Sequence, residues 1–221
     1  MTVISETQHI LGDSTPASFA KYVEVYEETA IRAINDIGSN LLGAWRQTTG
    51  PAGRDLMLSA SESMAAIEET IPRLLEHEAL VEGLPRLMGL GFTIDEVAKY
   101  GRALPFADER RLQQGFENTG GNPRCYRLIR RRAASDGMGA ALEALSLLAD
   151  ALEATESWKL FTAYITTAGD RREISEMWIT DEVTMDWYPR NAPEEALAAL
   201  DAVTFDVSIQ LLDPLPYSRA R

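Results

Sequence analysis

The stretch LLGAWRQTTG, residues 41–50, returns in the second half of the chain as LFTAYITTAG, residues 160–169. When the two stretches are aligned, Trp45 corresponds to Tyr164, and both stretches end at a glycine. Self-similarity at a fixed spacing is the mark of a repeat architecture, and a spacing near half of the 221 residues indicates one duplicated domain rather than a series of short repeats.

Each copy lies within the same predicted order of elements. In the first half we expect a strand at 3–11, a helix at 16–37, a hairpin at 41–60 and a helix at 61–80, and in the second half a strand at 126–132, a helix at 142–152, a hairpin at 158–180, a helix at 193–202 and a strand at 205–212. This is the βαββαβ order of the ferredoxin-like unit. We therefore predict an α+β fold in which tandem ferredoxin-like repeats form an intrachain α+β barrel, because the open face of each sheet must be covered.

The repeats are placed at 1–118 and 122–221, joined by a glycine-containing linker at 116–122. The segment 82–118 fits less well. It could supply the fourth strand of the first repeat near 97–102, or it could be a helical insertion. We favour the insertion because Thr93-Ile94-Asp95-Glu96 resembles a capping box. If the alignment of the two repeated stretches is extended with a gap of one residue after the glycine, Ala60 corresponds to Trp178.

Charge and cysteine content narrow the function classes. The chain carries 21 Lys and Arg against 34 Asp and Glu, a net charge of −13, which argues against nucleic acid as a partner. The single cysteine, Cys125, cannot form an internal disulfide, so a reducing cytoplasm is the simplest location. No apolar run reaches the length of a membrane span, so we expect no membrane partner. A homodimer is compatible with these features.

Two segments in the second half of the chain resemble those of a known family. The hairpin segment GDRREISEMW, residues 169–178, and the ending LLDPLPYS, residues 211–218, resemble the NIPSNAP-type pattern. The first half resembles it more weakly, through Leu104-Pro105-Phe106. The resemblance implies membership of the dimeric α+β barrel superfamily, which also includes antibiotic-biosynthesis monooxygenases and haem-dependent relatives. It does not imply an activity, because this fold carries several chemistries.

Few residues could carry acid–base chemistry. Of the two histidines, His9 lies on the first predicted strand and could face a pocket or be a partly exposed strand residue, whereas His77 lies between glutamates on a helix. Glu176, beside Trp178, is the carboxylate that we expect to be both desolvated and close to an aromatic substrate. Glu176 and His9 are therefore the predicted catalytic residues. No His and Cys cluster has metal-ligand spacing, so neither metal nor cofactor is expected, although a single axial histidine would be enough for haem.

Aromatic residues concentrate in the second half, and walls of such residues hold flat apolar ligands. We predict a substrate-binding set in which an arginine could clamp a carboxylate or enolate. Its members are Tyr126, Tyr164, Trp178, Trp187, Tyr188 and Arg46. The structural alternative is that the aromatic residues form the core and that the arginines protect an exposed strand.

These features predict a cofactor-independent small-molecule tailoring enzyme of the oxygenase, isomerase or cyclase type. It would act on an apolar, polyketide-like substrate in a secondary-metabolite pathway, with shape and water exclusion as the protein's main contribution. The alternative is a non-catalytic small-molecule-binding or interaction protein of the NIPSNAP-like type. An open pocket with one ionisable group would favour the enzyme, and a filled interior with all charges outward would favour the alternative.

Overall fold

The computed structural model describes residues 2–49, 53–117, 124–156, 158–168, 172–180 and 186–220. The predicted hairpin tips at 50–52 and 169–170 and most of the predicted linker lie outside these residues. The chain forms two compact units, the first of residues 1–100 with 214–220 and the second of residues 101–213. No helix among the described residues is long and apolar enough to cross a membrane.

The first unit follows the predicted order. Its elements are β1 (Val3–Leu11), α1 (Pro16–Tyr26), a π-helical turn (Glu27–Ile31), α2 (Arg32–Asp36), β2 (Asn40–Gln47), β3 (Arg54–Ser61), α3 (Met64–Leu75), α4 (Glu78–Met88) and β4 (Ile94–Ala103). The strands lie in the order β4–β1–β3–β2, with β3 antiparallel to both β1 and β2. Thr15 caps α1, and Pro16 occupies the first turn, where its missing N–H costs no hydrogen bond.

The second unit repeats this order. Its elements are α5 (Glu109–Phe116), β5 (Cys125–Ala133), α6 (Met138–Ala154), β6 (Trp158–Thr166), β7 (Glu173–Thr180), α7 (Glu194–Val203) and β8 (Thr204–Pro214). The strand order β8–β5–β7–β6 matches β4–β1–β3–β2 position by position. The α+β class and the tandem ferredoxin-like units are confirmed.

The segment 82–118 requires a correction. Ile94–Ala103 is a strand, not part of a helical insertion, and α5 is an additional helix after it. The capping-box pattern at 93–96 predicts a helix start, but the structure places Glu96 on a strand. The boundary between the two compact units lies within β4. The last residues of this strand, Gly101–Ala103, belong to the second unit and pair with Thr166–Tyr164 of β6. The bounds of the two repeats as duplicated segments stay a prediction.

The two hairpins share one irregularity. The pairing of β2 with β3 shifts by a bulge between Leu41 and Gly43, and the pairing of β6 with β7 shifts between Leu160 and Thr162. These positions correspond in the repeated stretch, which is what a duplicated unit would retain. The shared register also shows that the hairpins align without the one-residue gap. Ser59, not Ala60, therefore corresponds to Trp178.

Each unit has its own core between sheet and helices. In the first, Tyr22 and Val25 of α1 and Leu87 of α4 pack with residues of the sheet. In the second, Leu145 and Leu148 of α6 pack with Ile174 and Trp178 of β7 and with Leu200 of α7. The apolar residues of the amphipathic helices thus form the cores, as their spacing predicts.

Close packing of α4 on the π-helical turn depends on Gly83. A Cβ atom there would lie 1.9 Å from the Thr29 Cγ2 atom, so one element would have to shift. We expect Gly83→Ala to lower the free energy of unfolding by about 1–3 kcal/mol, as overpacking does. The same substitution at Gly139 of α6 meets no atom within 4 Å and should be neutral or stabilise the helix by up to ~1 kcal/mol. Denaturant unfolding of both variants measures the difference, and equal effects would contradict the packing described.

Candidate active site

His9 is the centre of a buried polar cluster beneath α1. It lies on β1 directly opposite Asp55 of β3 and is 3 % exposed. The His9 Nδ1 and Asp55 Oδ1 atoms are 2.7 Å apart, and the Asp55 oxygen also accepts the His9 backbone N–H at 3.2 Å. The Tyr22 hydroxyl donates to Asp55 Oδ2 at 2.8 Å. One carboxylate therefore fixes both the imidazole and a tyrosine of the covering helix.

The second imidazole nitrogen faces different groups. The Tyr26 hydroxyl lies 3.4 Å from His9 Nε2, and the Glu96 carboxylate of β4 lies 3.7 Å from it. The Glu96 side chain is 63 % exposed, whereas that of Asp55 is fully buried. His9 Nε2 therefore faces an exposed carboxylate, and Nδ1 faces a buried one. An imidazole that a carboxylate orients at one nitrogen can act as a general acid or base at the other nitrogen.

Charge controls the protonation of this cluster. Burial by itself would lower the pKa of His9, but hydrogen bonds and charges from Asp55 and Glu96 outweigh it and raise the pKa to about 9. The contact with His9 lowers the pKa of Glu96, so that group is a carboxylate. Burial and the charge of Asp55 raise the pKa of Tyr22 and Tyr26 far above the ordinary value, so both keep their protons.

A second buried cluster lies in the other unit, around Glu176 of β7. Its Oε1 atom accepts from Arg131 Nε at 2.6 Å, and its Oε2 atom accepts from Trp178 Nε1 at 2.8 Å and from the Tyr188 hydroxyl at 2.9 Å. Arg131 also donates to the Tyr188 hydroxyl. Glu176 is fully buried and Arg131 is 1 % exposed. Both carboxylate oxygens are thus occupied by protein donors, and a guanidinium compensates the charge.

The two clusters occupy related positions. His9 and Arg131 each lie two residues before the end of the corresponding strand, β1 or β5. Asp55 is the register partner of His9, but the register partner of Arg131 is Ile174, and the acid comes two residues later as Glu176. Each repeat therefore pairs a buried basic side chain with a buried acidic one beneath its helices, with different residue types.

The predicted binding residues do not form one group. Tyr126 and Tyr164 are buried, and strand alternation places them on the face of the sheet opposite Trp178, since their register partners are Ile179 and Ser175. Tyr126 packs edge-on against Phe161. These two tyrosines are therefore separated from Trp178 by the sheet itself.

The remaining predicted residues are distributed differently. Trp178 and Tyr188 do pack together with Trp158. The ring centroid of Trp158 lies 6.2 Å from that of Trp178 and 5.8 Å from that of Tyr188. Trp187 is 47 % exposed, and Arg46 is an exposed residue of β2. A cavity of about 370 Å³ lies in the first unit, lined by Thr2, Asn40, Ser61 and Thr70 among others, at the end of β1 and β3 away from His9.

Several residues of the His9 cluster were not predicted. Tyr22 and Tyr26 recur at i, i+4 on α1, a spacing that places both on the face that meets His9. Asp55 is a carboxylate within the apolar strand Arg54–Ser61, a pattern that indicates a buried, partnered charge. Glu96 could not have been identified, because its segment was interpreted as a helix start.

The comparisons with known proteins identify a fold. No family model and no curated protein matches the chain. Among solved structures, a candidate monooxygenase from Lactobacillus acidophilus matches with a TM-score of 0.64 and 9% identity over 97% of this chain and 94% of that one. An anthrone oxidase-like protein matches with a TM-score of 0.58 and 12% identity over 99% and 94%. A candidate monooxygenase from Fusobacterium nucleatum matches with a TM-score of 0.64 and 6% identity over 97% and 92%.

Identities this low show the fold alone. The matches extend over nearly the whole length of this chain and of each matched chain, so both repeats take part in the likeness. The chain therefore has the fold of the dimeric α+β barrel proteins, with two ferredoxin-like units in one polypeptide.

Proposed function

We propose that this protein is a small-molecule oxygenase that uses the His9–Asp55 pair for proton transfer and needs no cofactor. The observation that carries the proposal is the buried imidazole that Asp55 holds at Nδ1 and whose Nε2 faces the exposed carboxylate of Glu96. The names of the solved structures with this fold, candidate monooxygenases and an anthrone oxidase-like protein, support the reaction class. A cytoplasmic secondary-metabolite pathway and the NIPSNAP-like subtype belong to the same proposal.

The chemistry suits a flat aromatic substrate with a CH group whose deprotonation gives an anion conjugated with a carbonyl, such as an anthrone. His9 Nε2 takes this proton, and the imidazolium, paired with Asp55, stabilises the enolate that forms. The enolate then supplies electrons to dioxygen. In the overall reaction an anthrone methylene loses two hydrogens and becomes a carbonyl, and the second oxygen atom of dioxygen leaves as water. Electrons and atoms balance with dioxygen as the only oxidant.

Glu96 regulates the availability of the base. Its carboxylate is one of the groups that raise the pKa of His9, so most of His9 is protonated near neutral pH in the free protein. A substrate that displaces Glu96 from Nε2 removes this contribution, and His9 can then lose its proton more readily. Asp55 remains at Nδ1 throughout and holds the ring orientation.

Replacement of the base is the direct test of this proposal. We expect His9→Gln to lower the rate of anthrone-dependent oxygen consumption, above the rate without protein, by roughly 10²–10⁴. His77→Gln is the matched control, because His77 is the only other histidine and caps α4 as a partly buried residue. A His9→Gln protein that retains the wild-type rate would contradict the role of His9, and a wild type without turnover on anthrones would contradict the substrate class.

The pH dependence tests the role of Glu96. In the wild type, kcat/KM should rise with pH as free His9 loses its proton, with the midpoint near its pKa of about 9. In Glu96→Gln the loss of a neighbouring negative charge lowers the pKa of His9, so the rise should occur at lower pH. Asp95→Asn removes an adjacent exposed carboxylate and should leave the profile in place. Identical profiles for the Glu96 variant and the wild type would exclude this coupling.

Glu176 is the second candidate for the acid–base group, and its saturated hydrogen bonds favour a structural role instead. Glu176→Gln should leave Arg131 buried without its charge partner and lower the free energy of unfolding by about 3–5 kcal/mol, while the remaining folded protein keeps its turnover. Glu173→Gln, on the same strand and only half-buried, should cost less than about 1 kcal/mol. Stable Glu176→Gln protein with turnover reduced a hundredfold would assign catalysis to the second unit.

Non-catalytic binding is the second candidate function, and the fully paired cluster of the second unit favours it. The buried charges of Arg131 and Glu176 are paired with each other inside the unit. This arrangement differs both from an open enzyme pocket with a free ionisable group and from an interior without charges. A protein that binds anthrones without oxidising them would support this alternative.

A further inference from the structure

The last residues of the chain return to the first unit and bring a third tyrosine to the His9 cluster. Pro214–Ala220 belongs to this unit, although it begins at the last residue of β8, a strand of the second unit. The Leu215 N–H donates to the Ala44 carbonyl at 2.9 Å, and the Ser218 hydroxyl accepts the Ala44 N–H at 2.9 Å. Leu215 and Ser218 are both buried. The segment is thus fixed to β2 on either side of Tyr217.

The attachment relies on Gly43, next to Ala44 in the bulge of β2. A Cβ atom at Gly43 would lie 3.0 Å from the Ser218 hydroxyl and 2.6 Å from the ring of Trp45. The absence of a side chain at this position leaves room for the terminal segment. The geometry of the bulge and the position of Tyr217 are therefore linked.

Tyr217 extends a row of aromatic rings that starts at His9. The ring centroids of Tyr22 and Tyr26 are 5.2 Å apart and those of Tyr26 and Tyr217 are 6.4 Å apart, with interplanar angles of 35° and 36°. Tyr26 in turn is 5.0 Å from the ring of His9. Three tilted phenol rings beside an imidazole form a wall suited to a flat aromatic ligand.

The hydroxyl groups of this row differ in one respect. Tyr22 and Tyr26 contact Asp55 and His9, but the Tyr217 hydroxyl is buried and has no hydrogen-bond partner among the described residues. A buried hydroxyl without a partner lowers the stability of the fold, so a native protein that retains one needs a reason for it. Burial and the charge of Asp55 keep this hydroxyl protonated by raising its pKa, which leaves it a donor.

We propose that Tyr217 is a substrate-binding residue of the His9 cluster and that its hydroxyl donates to the oxygen of an aromatic enolate or phenolate. The inference rests on the proposed function for the position of the substrate, and it specifies the ligand as an aromatic oxyanion. His9 and Tyr217 supply positive charge and a hydrogen-bond donor, and the tyrosine rings supply the apolar wall.

The test uses 4-nitrophenolate, a coloured aromatic oxyanion, as the probe. Its Kd for the full-length protein is measured by absorbance titration at about pH 8, below the pKa of His9 near 9. Tyr217→Phe removes the hydroxyl and keeps the ring. We expect its Kd to rise roughly tenfold or more, as for the loss of a hydrogen bond to a charged acceptor, without a fall in the melting temperature.

Tyr100→Phe, which removes a phenol hydroxyl from β4 of the same unit, is the control and should keep the wild-type Kd. An unchanged Kd in Tyr217→Phe, with or without a lower melting temperature, would overturn the proposal, as would a wild type that does not bind the probe saturably. Because binding is measured separately from turnover, the two proposals can fail separately. Loss of turnover in His9→Gln with unchanged binding in Tyr217→Phe would contradict only the role of Tyr217. Unchanged turnover in His9→Gln with weaker binding in Tyr217→Phe would contradict only the role of His9 in catalysis.

Discussion

The pairing of a buried base with a buried acid is the constraint that each unit of this protein must satisfy. A charge placed between a sheet and its covering helices loses its hydration, and only a close partner of opposite charge compensates that loss. In the first unit His9 and Asp55 meet this condition, and in the second Arg131 and Glu176 do. The surrounding tyrosine and tryptophan donors satisfy the oxygen atoms that the base leaves free.

The same constraint has different chemical consequences in the two units. A guanidinium keeps its proton at any ordinary pH, so the basic member of the Arg131–Glu176 pair has no proton to exchange. An imidazole can lose its proton within the ordinary pH range, for His9 at a pKa of about 9, and the second nitrogen of His9 faces an exposed carboxylate. Duplication followed by divergence of both the basic and the acidic position would thus leave one unit suited to proton transfer and the other suited to structural support.

Much of the architecture was predictable because it depends on local patterns. The period of apolar residues fixed the helices, and the repeated stretch with its glycine fixed the hairpins and their order. The strand Ile94–Ala103 was only the less favoured of two predictions, because most of its residues are at least partly exposed and it lacks the alternation that marks a half-buried strand. Its capping-box pattern then favoured a helix.

The candidate site was predictable only in its central residues. His9 and Glu176 stood out because histidines and strand carboxylates are scarce in suitable positions. Their partners depend on strand register and on the helix that covers the sheet. Tyr217 depends on the path of the last residues back to β2, which no local pattern encodes. The separation of Tyr126 and Tyr164 from Trp178 likewise follows from register, since a shift of one residue moves a side chain to the other face.

The protonation of His9 is the quantity that tests this account most directly. In His77→Gln protein His9 is the only histidine, so a ¹⁵N NMR titration of the imidazole nitrogens reports on it alone. The account predicts a pKa near 9 in this protein and a clearly lower pKa when Asp55→Asn is added, because the principal charge partner is then lost. Titration at the ordinary histidine value of about 6.5 in both proteins would contradict the buried His9–Asp55 pair on which the proposed chemistry depends.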